Sequence, residues 1–303
     1  MTMHVEQLFI YPVKSLHGIK VDAAQLCETG FQHDRLYMFA LTQPDAPAKF
    51  LTQRELARLV LVVPRIDSEE LVLAFDGIAQ RLPLRLPASL RTSLPKMEVT
   101  IWKQTIAALD ATSLFDQKKL QRLASFIQVP HSQLAFLAAA DLRHVKRNAP
   151  TAAQIGREPM CGFADYYPVH LLQRSSFQDL AQRVPSTTGP IAIERFRMNV
   201  VVAGGAAFDE DTWKEVCVGT NAKWYIACRN VRCSVPDVNP STGEKDAHGG
   251  VYKTMQTYRR VDPGAKYQPC LGTNAVPLSL HGQVAIGDEI KVLARGEHVY
   301  IPI

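Results

Sequence analysis

Ala227-Cys228-Arg229-Asn230-Val231-Arg232-Cys233-Ser234-Val235-Pro236-Asp237-Val238-Asn239-Pro240-Ser241-Thr242-Gly243-Glu244 is the stretch around which this chain is organised. It starts as a strand end, sets Cys233 directly after Arg232, and passes into Pro, Asp, Asn and Gly residues that read as loop. A thiol at a strand-to-loop exit is where a soft metal or an electrophile would be met, and an adjacent guanidinium favours ionised sulfur. The same residue fits a second reading, a small buried hydrophobe, which is what most free cysteines are. Nothing within the stretch chooses between the two.

Outward from it the pattern is mostly β. Residues 223–228 lead into the stretch, residues 196–203 form a strand followed by Gly204-Gly205, and residues 284–293 form one interrupted at Gly287-Asp288, as at a bulge or barrel corner. Towards the N-terminus, residues 6–13, 35–41, 59–63, 71–75 and 99–102 are short β-type runs separated by turn signals, among them Asp76-Gly77. Many short strands of this kind imply a sandwich or barrel. Between the two β-rich parts the period changes. Leu120, Leu123, Ala124 and Ile127 predict a helix over 113–128, with Asp110, Thr112 and Ser113 as available caps. A second helix is marked by Ser176-x-x-Asp179, which resembles a capping box, with Phe177, Leu180, Ala181 and Val184 on one face before Pro185. Residues 144–161 are polar and carry Pro150, Gly156 and Pro159, the composition of a linker or mobile loop. The expected class is α+β, β-rich, with two strand-dominated parts joined through helices.

At 303 residues and 47% apolar composition the chain can bury a sizeable core, and its net charge of +5 is spread along its length. That spread argues against a nucleic-acid binder. Six cysteines lie far apart without a Cys-x-x-Cys, which predicts free thiols in a reducing compartment. With no signal peptide, anchor or membrane-length apolar run to be seen, a cytoplasmic protein is expected.

The chemistry-bearing residues are scattered. Lys14 and Ser15 end the first strand on a turn with Gly18, where they suit a phosphate, or else are an ordinary surface turn. Arg197 and Asn199, two apart in an extended strand, emerge on one face; an interior face would demand an anion for the guanidinium, a solvent face would demand nothing. Arg35 follows Asp34, the pattern of a structural ion pair, and Thr52-Gln53-Arg54-Glu55 either lines a site or begins a helix. Tyr166-Tyr167 reads as packing. Pro236 rules out a C-x4-C-x2-C iron–sulfur run, and H-E-x-x-H, zinc spacing, G-x-G-x-x-G and a P-loop are all missing. A redox centre here would have to be held by scattered basic groups and one thiolate.

Taken in order, Tyr11-Pro12-Val13-Lys14-Ser15, Asp34-Arg35, Thr52-Gln53-Arg54 with Arg58-Leu59-Val60-Leu61, Phe196-Arg197-Met198-Asn199-Val200-Val201-Val202, Arg232-Cys233 with Asp237-x-x-Pro240-x-Thr242-Gly243, and Ile286-Gly287-Asp288 resemble the MOSC family with its N-terminal β-barrel extension. The likeness runs from about residue 5 to 293 and points to the amidoxime-reducing components and to the C-terminal part of molybdenum cofactor sulfurase. It implies an N-terminal MOSC β-barrel domain over residues 1–125 and a molybdenum cofactor-binding MOSC domain over 126–303. It further implies a Mo-molybdopterin cofactor with Cys233 as the metal ligand, and Lys14, Ser15, Arg35, Arg197, Asn199 and Arg232 holding the pterin and its phosphate. The implied activity is molybdenum-dependent reduction of N-hydroxylated compounds, amidoximes and hydroxylamines, with electrons from cytochrome b5 and its reductase or an equivalent. The alternative is a cofactor carrier or sulfur-handling module without turnover. No aminotransferase-like part is seen, so pyridoxal phosphate binding is not expected, and mitochondrial association stays open. The chain departs from the reductase pattern at Val231, where a small polar residue is usual, at Cys270-Leu271-Gly272-Thr273-Asn274, which lacks the usual aromatic, and over 144–161, which matches nothing in the family.

Overall fold

Strands whose side chains are nearly all buried need cover on both faces, and Leu134–Ala139 and Cys270–Pro277 are of that kind. Each lies inside one of two large β-structures in a computed structural model of the protein, which describes residues 2–246 and 248–301. The first is a closed barrel in the order Lys96–Ile101, Gln104–Asp110, Leu134–Ala139, Tyr37–Gln43 and Ala46–Phe50. Its neighbours are antiparallel except at the closure, where Val99 and Thr100 run parallel to Ala48 and Lys49. Inside are Met38, Ala40, Ala48, Phe50, Val99, Ile101, Ala108, Ala135 and Leu137, one face of all five strands. On the outer face, against the helix Gln117–Ile127, the Phe136 ring stacks on Tyr37 at 5.0 Å and meets Phe115 edge-on at 4.9 Å.

The second is an eight-stranded curled sheet, ordered Ile19–Val21, His4–Ile10, Val200–Ala203, Val169–Gln173, Cys270–Pro277, Ala222–Val231, Trp213–Val218 and Ile290–Arg295. Val169–Gln173 and Val200–Ala203 are parallel, as the helix Arg174–Arg183 between them requires. The first strand of the chain pairs with Val200–Ala203, so the opening residues belong to the sheet completed by the last ones. Trp213 and Trp224 fill its core, Trp224 edge-on to Phe31 at 5.9 Å. Barrel and curled sheet make the chain β-rich, as expected.

Several local expectations are corrected. Residues 59–63 are not a strand: Ala57–Leu61 is a 3-10 turn burying Leu59 and Val60, and Val63–Asp67 is an edge strand of its own small sheet, where Pro64 is tolerated. The helix expected over 113–128 is Gln117–Ile127, because Asp116 caps it by accepting from the Lys119 N–H at 3.0 Å. Leu120, Leu123, Ala124 and Ile127 are its buried face, the Leu and Ile side chains contributing about 1.5–3 kcal/mol each. Ser176-x-x-Asp179 is no capping box. The helix already starts at Arg174; Ser176 lies within it and donates to Glu210 Oε2 at 2.8 Å, while Asp179 pairs with Arg183 one turn on at 2.7 Å. The 144–161 segment is structured: Arg143–His144 pairs with Met160–Cys161, and the short helix Ala152–Ile155 is held by a Thr151/Gln154 capping box. Gly287, at φ 91°, turns the chain between Gln283–Ala285 and Ile290–Arg295, which lie in different sheets. Among the described residues no helix is long and apolar enough to cross a membrane.

Candidate functional site

Cys233 sits two residues past the end of Ala222–Val231, where the Arg232 N–H still bonds to the Pro269 carbonyl at 2.8 Å before the chain turns into Val235–Asp237. Half-buried, it lines a cavity of about 360 Å³ enclosed by the barrel loops on one side and the curled sheet on the other. Burial pushes the enclosed Cys228 up to about 11 and Cys270 up to about 12, so both stay thiols.

The charge on the wall is one-sided. Lys14, Arg35, Arg54, Arg147, Arg195, Arg197 and Arg232 line the cavity, and Asp165 is the one acid among the lining residues. Lys14 donates to the Phe163 carbonyl at 2.9 Å and is paired with Asp165; burial pushes it down to about 8 against the pull of that carboxylate. Burial alone would raise Asp165, but Lys14, Arg54 and a bond from Trp102 hold it well below the usual carboxylate range. Ser15, at φ 67°, donates its hydroxyl to the Leu51 carbonyl at 3.0 Å. Arg35 is the expected ion-pair partner of Asp34 and also lines the cavity. Its guanidinium lies 4.4 Å from the centre of the Tyr11 ring, and that of Arg197 lies 4.5 Å from the same ring.

Arg197 and Asn199 are not two apart on one strand. Ile193–Phe196 is a 3-10 turn, Arg197 follows at φ 55° in the left-handed region, and the strand begins only at Val200. That turn separates the pair. Arg197 lines the cavity and donates to the Leu16 carbonyl. Asn199 is completely buried and does not line it: its Nδ2 donates to the Phe9 carbonyl at 3.1 Å, and its Oδ1 accepts from Arg35 at 3.1 Å and from the His170 N–H at 3.2 Å. Asn199 therefore braces Arg35.

Arg232 does not reach for the neighbouring sulfur. Its Nε and Nη1 donate to the Leu271 and Phe196 carbonyls, both at 2.9 Å, and its Nη2 to Met198 Sδ at 2.7 Å. Neither Arg197 nor Arg232 has a carboxylate within 4.0 Å among the described residues, and burial pushes each down to about 10. The buried Nε atoms of Arg147 and Arg195 have no hydrogen-bond partner among the described residues. Guanidinium groups held dry without carboxylates are costly unless an anion joins them.

Several lining residues carried no clear signal in the sequence: Trp102, Arg147, Asp165, His170, Asn230, Asn274 and Tyr300. His170 and Asn274 are register partners across two strands. The His170 Nδ1 lies 2.7 Å from Asn274 Oδ1 and 3.1 Å from Asn230 Nδ2, and burial, with Arg35 and Arg232, pushes the ring down to about 3. It is a neutral imidazole whose Nδ1 meets an amide oxygen and an amide NH2 together. No three His, Cys, Asp or Glu side chains of the described residues converge as metal ligands, so a metal at Cys233 would bring most of its ligands with it.

Two family descriptions match the chain, the MOSC N-terminal beta barrel domain over residues 2–123 and the MOSC domain over residues 159–291. The mitochondrial amidoxime reducing component 2 of Bos taurus is 30% identical over 267 residues, covering 86% of this chain and 74% of the relative. This chain belongs to the MOSC family. The similarity extends to the mitochondrial amidoxime-reducing component 1 of Mus musculus, 26% identical with 96% of this chain and 82% of the relative covered. A molybdenum cofactor sulfurase from Drosophila grimshawi is 25% identical over 95% of this MOSC chain, which spans 34% of that longer protein.

Proposed function

We propose that this MOSC protein is a molybdenum cofactor-dependent oxidoreductase that reduces N-hydroxylated compounds such as amidoximes and hydroxylamines, with Cys233 as the metal ligand. The observation that carries it is one accessible thiol in a cavity lined by seven cationic side chains and one acid, two of the arginines buried without carboxylates. A molybdopterin has the complementary chemistry: a phosphate monoester of about −2 charge, a flat ring edged with donors and acceptors, and a metal that a thiolate suits. The residues present fit that group. The names of the similar proteins support the same choice.

In this proposal Lys14, Arg35, Arg197 and Arg232 hold the pterin and its phosphate, Ser15 supports the Lys14 turn, and Asn199 acts through Arg35. When bound, the cofactor supplies two-electron chemistry at the metal. The net reaction, cleavage of an N–O bond by two electrons and two protons, releases water, and cytochrome b5 with its reductase, or an equivalent pair, delivers the electrons. Residues 1–125 and 126–303 are proposed as the two domains that close on the cofactor.

Molybdenum measured in full-length protein from a cofactor-producing host is expected near one equivalent for wild type and near zero for Cys233→Ser. Equal occupancy in both removes Cys233 as the ligand. Reduction of benzamidoxime with a reconstituted donor then tests turnover, and metal without turnover identifies a carrier.

A further inference from the structure

Part of the cavity wall is a ribbon of stacked guanidinium and aromatic groups. Arg54 lies 4.1 Å from the Trp102 ring centre, Trp102 stacks on Tyr166 at 5.7 Å with 18° between planes, and Arg147 lies 4.6 Å from Tyr166 and 5.0 Å from Tyr300. Residues distant in sequence are brought together here, and the geometry at Trp102 shows that the arrangement is specified. Trp102 occupies the two-residue turn of the Lys96–Ile101 and Gln104–Asp110 hairpin at φ 57°, a conformation that such turns normally give to Gly or Asn. A bulky residue stays in that region only where its surroundings hold it, as Arg54, Tyr166 and the bond from its Nε1 to Asp165 at 3.2 Å do.

Stacking holds a guanidinium by its face and leaves its N–H edge free for a carboxylate or phosphate in the same plane. The Arg54 guanidinium makes no hydrogen bond or ion pair among the described residues. Arg147 donates to the Tyr300 hydroxyl, has no carboxylate partner among the described residues, and keeps its buried Nε unpartnered. The charge count points the same way. Seven cations and one acid leave the lining at +6, or +5 with the Asp34 that pairs Arg35 from behind the wall, and a cofactor phosphate of about −2 accounts for only part of it.

Resting on the reductase assignment above, we infer that the ribbon is a substrate subsite, and that the N-hydroxylated substrate carries an anionic group, a carboxylate or phosphate, received by the N–H edges of Arg54 and Arg147. Substrates of this kind are drawn in by the cavity's field and held at a distance from Cys233 set by the ribbon. A neutral analogue lacks both effects.

The test compares benzamidoxime with 4-carboxybenzamidoxime on the molybdenum-loaded full chain. The expected result is a kcat/KM about tenfold higher for the carboxylated compound, as a charge-assisted bond confers, with the ratio shrinking as salt is raised to about 0.5 M. Arg54→Gln and Arg147→Gln are each expected to lower that ratio while retaining molybdenum, with unchanged thermal unfolding as the check on folding. A wild-type ratio of one or below, an unchanged ratio in both variants, or loss of molybdenum from the variants overturns the inference; the last would assign these arginines to the cofactor. Titration of tryptophan fluorescence with both compounds, in the absence of electron donor and with Trp102→Phe to subtract Trp213 and Trp224, reads the anion preference without turnover. Failure of the reductase assignment, seen as wild-type protein without molybdenum or with molybdenum and no turnover, is thereby kept apart from failure of the subsite.

Discussion

Tyr11 shows how single residues set the site. Its ring is flanked by Arg35 and Arg197, its hydroxyl donates to the Met198 carbonyl at 3.0 Å, and burial pushes it up to about 12, so it is a fixed neutral partition between two cations. Gly18 lies against it: a Cβ there would stand 2.6 Å from Tyr11 Cε1. Gly18→Ala is therefore expected to destabilise by about 1–3 kcal/mol through overpacking, and to lower the metal content as both arginines shift. Urea unfolding and metal analysis check it, and an unchanged midpoint would show that the ring yields. Cys233, Lys14 and Arg197 each also had an ordinary reading, as a packed thiol, a surface lysine and a solvent-facing arginine, and only their order along the chain singled them out. Trp102, Tyr166 and His170 were not, because an aromatic in a strand or turn looks the same whether it packs a core or lines a cavity.

Among the elements, periodicity located what is local and missed what is capped or bent from afar. The Gln117–Ile127 helix was visible through its apolar face, yet its start belongs to Asp116, one of several polar residues available nearby. Asp116→Ala is expected to cost about 1 kcal/mol in urea unfolding, with the denaturant slope unchanged, since one N–H loses its acceptor. Alanine at Ser113, which does not cap the helix, is expected to leave the midpoint within about 0.5 kcal/mol. The strand expected over 196–203 lost its first half for the opposite reason. Its apolar alternation is real, but Arg197 in the left-handed region breaks the extended run, and the Tyr11 ring and Leu16 carbonyl that meet its side chain come from the other end of the chain.

For the molecule as a whole, the first strand joins the sheet made by the last third, and a buried carboxyl lies beneath that sheet's central helix. Glu210 is completely buried, accepts from Ser176 Oγ at 2.8 Å and from the Gln173 N–H at 3.3 Å, and is pushed up to about 7 by burial. Its folded value lies above the unfolded one, so its stabilising effect is full below about pH 4.5 and is lost as pH rises through about 7. The loss is on the order of 3 kcal/mol. Melting temperatures of wild type and Glu210→Gln measured from pH 4.5 to 8 should show wild type losing ground to the variant across that window; parallel curves would exclude Glu210 as the source. The β-rich class and two strand-dominated parts could be read from strand spacing and turn residues, which are properties of neighbours in sequence; that one part closes into a barrel while the other is an open sheet that takes in the first strand could not. Cys233, Lys14, Arg35, Arg197 and Arg232 could be named from their order along the chain. That these residues share one cavity while Asn199 stands behind it, that Arg232 bonds to carbonyls and a thioether in place of the thiol, and that Arg54, Trp102, Tyr166, Arg147 and Tyr300 form one ribbon depend on contacts between residues far apart in sequence. Such contacts follow from how the barrel and the sheet pack, which no local pattern specifies.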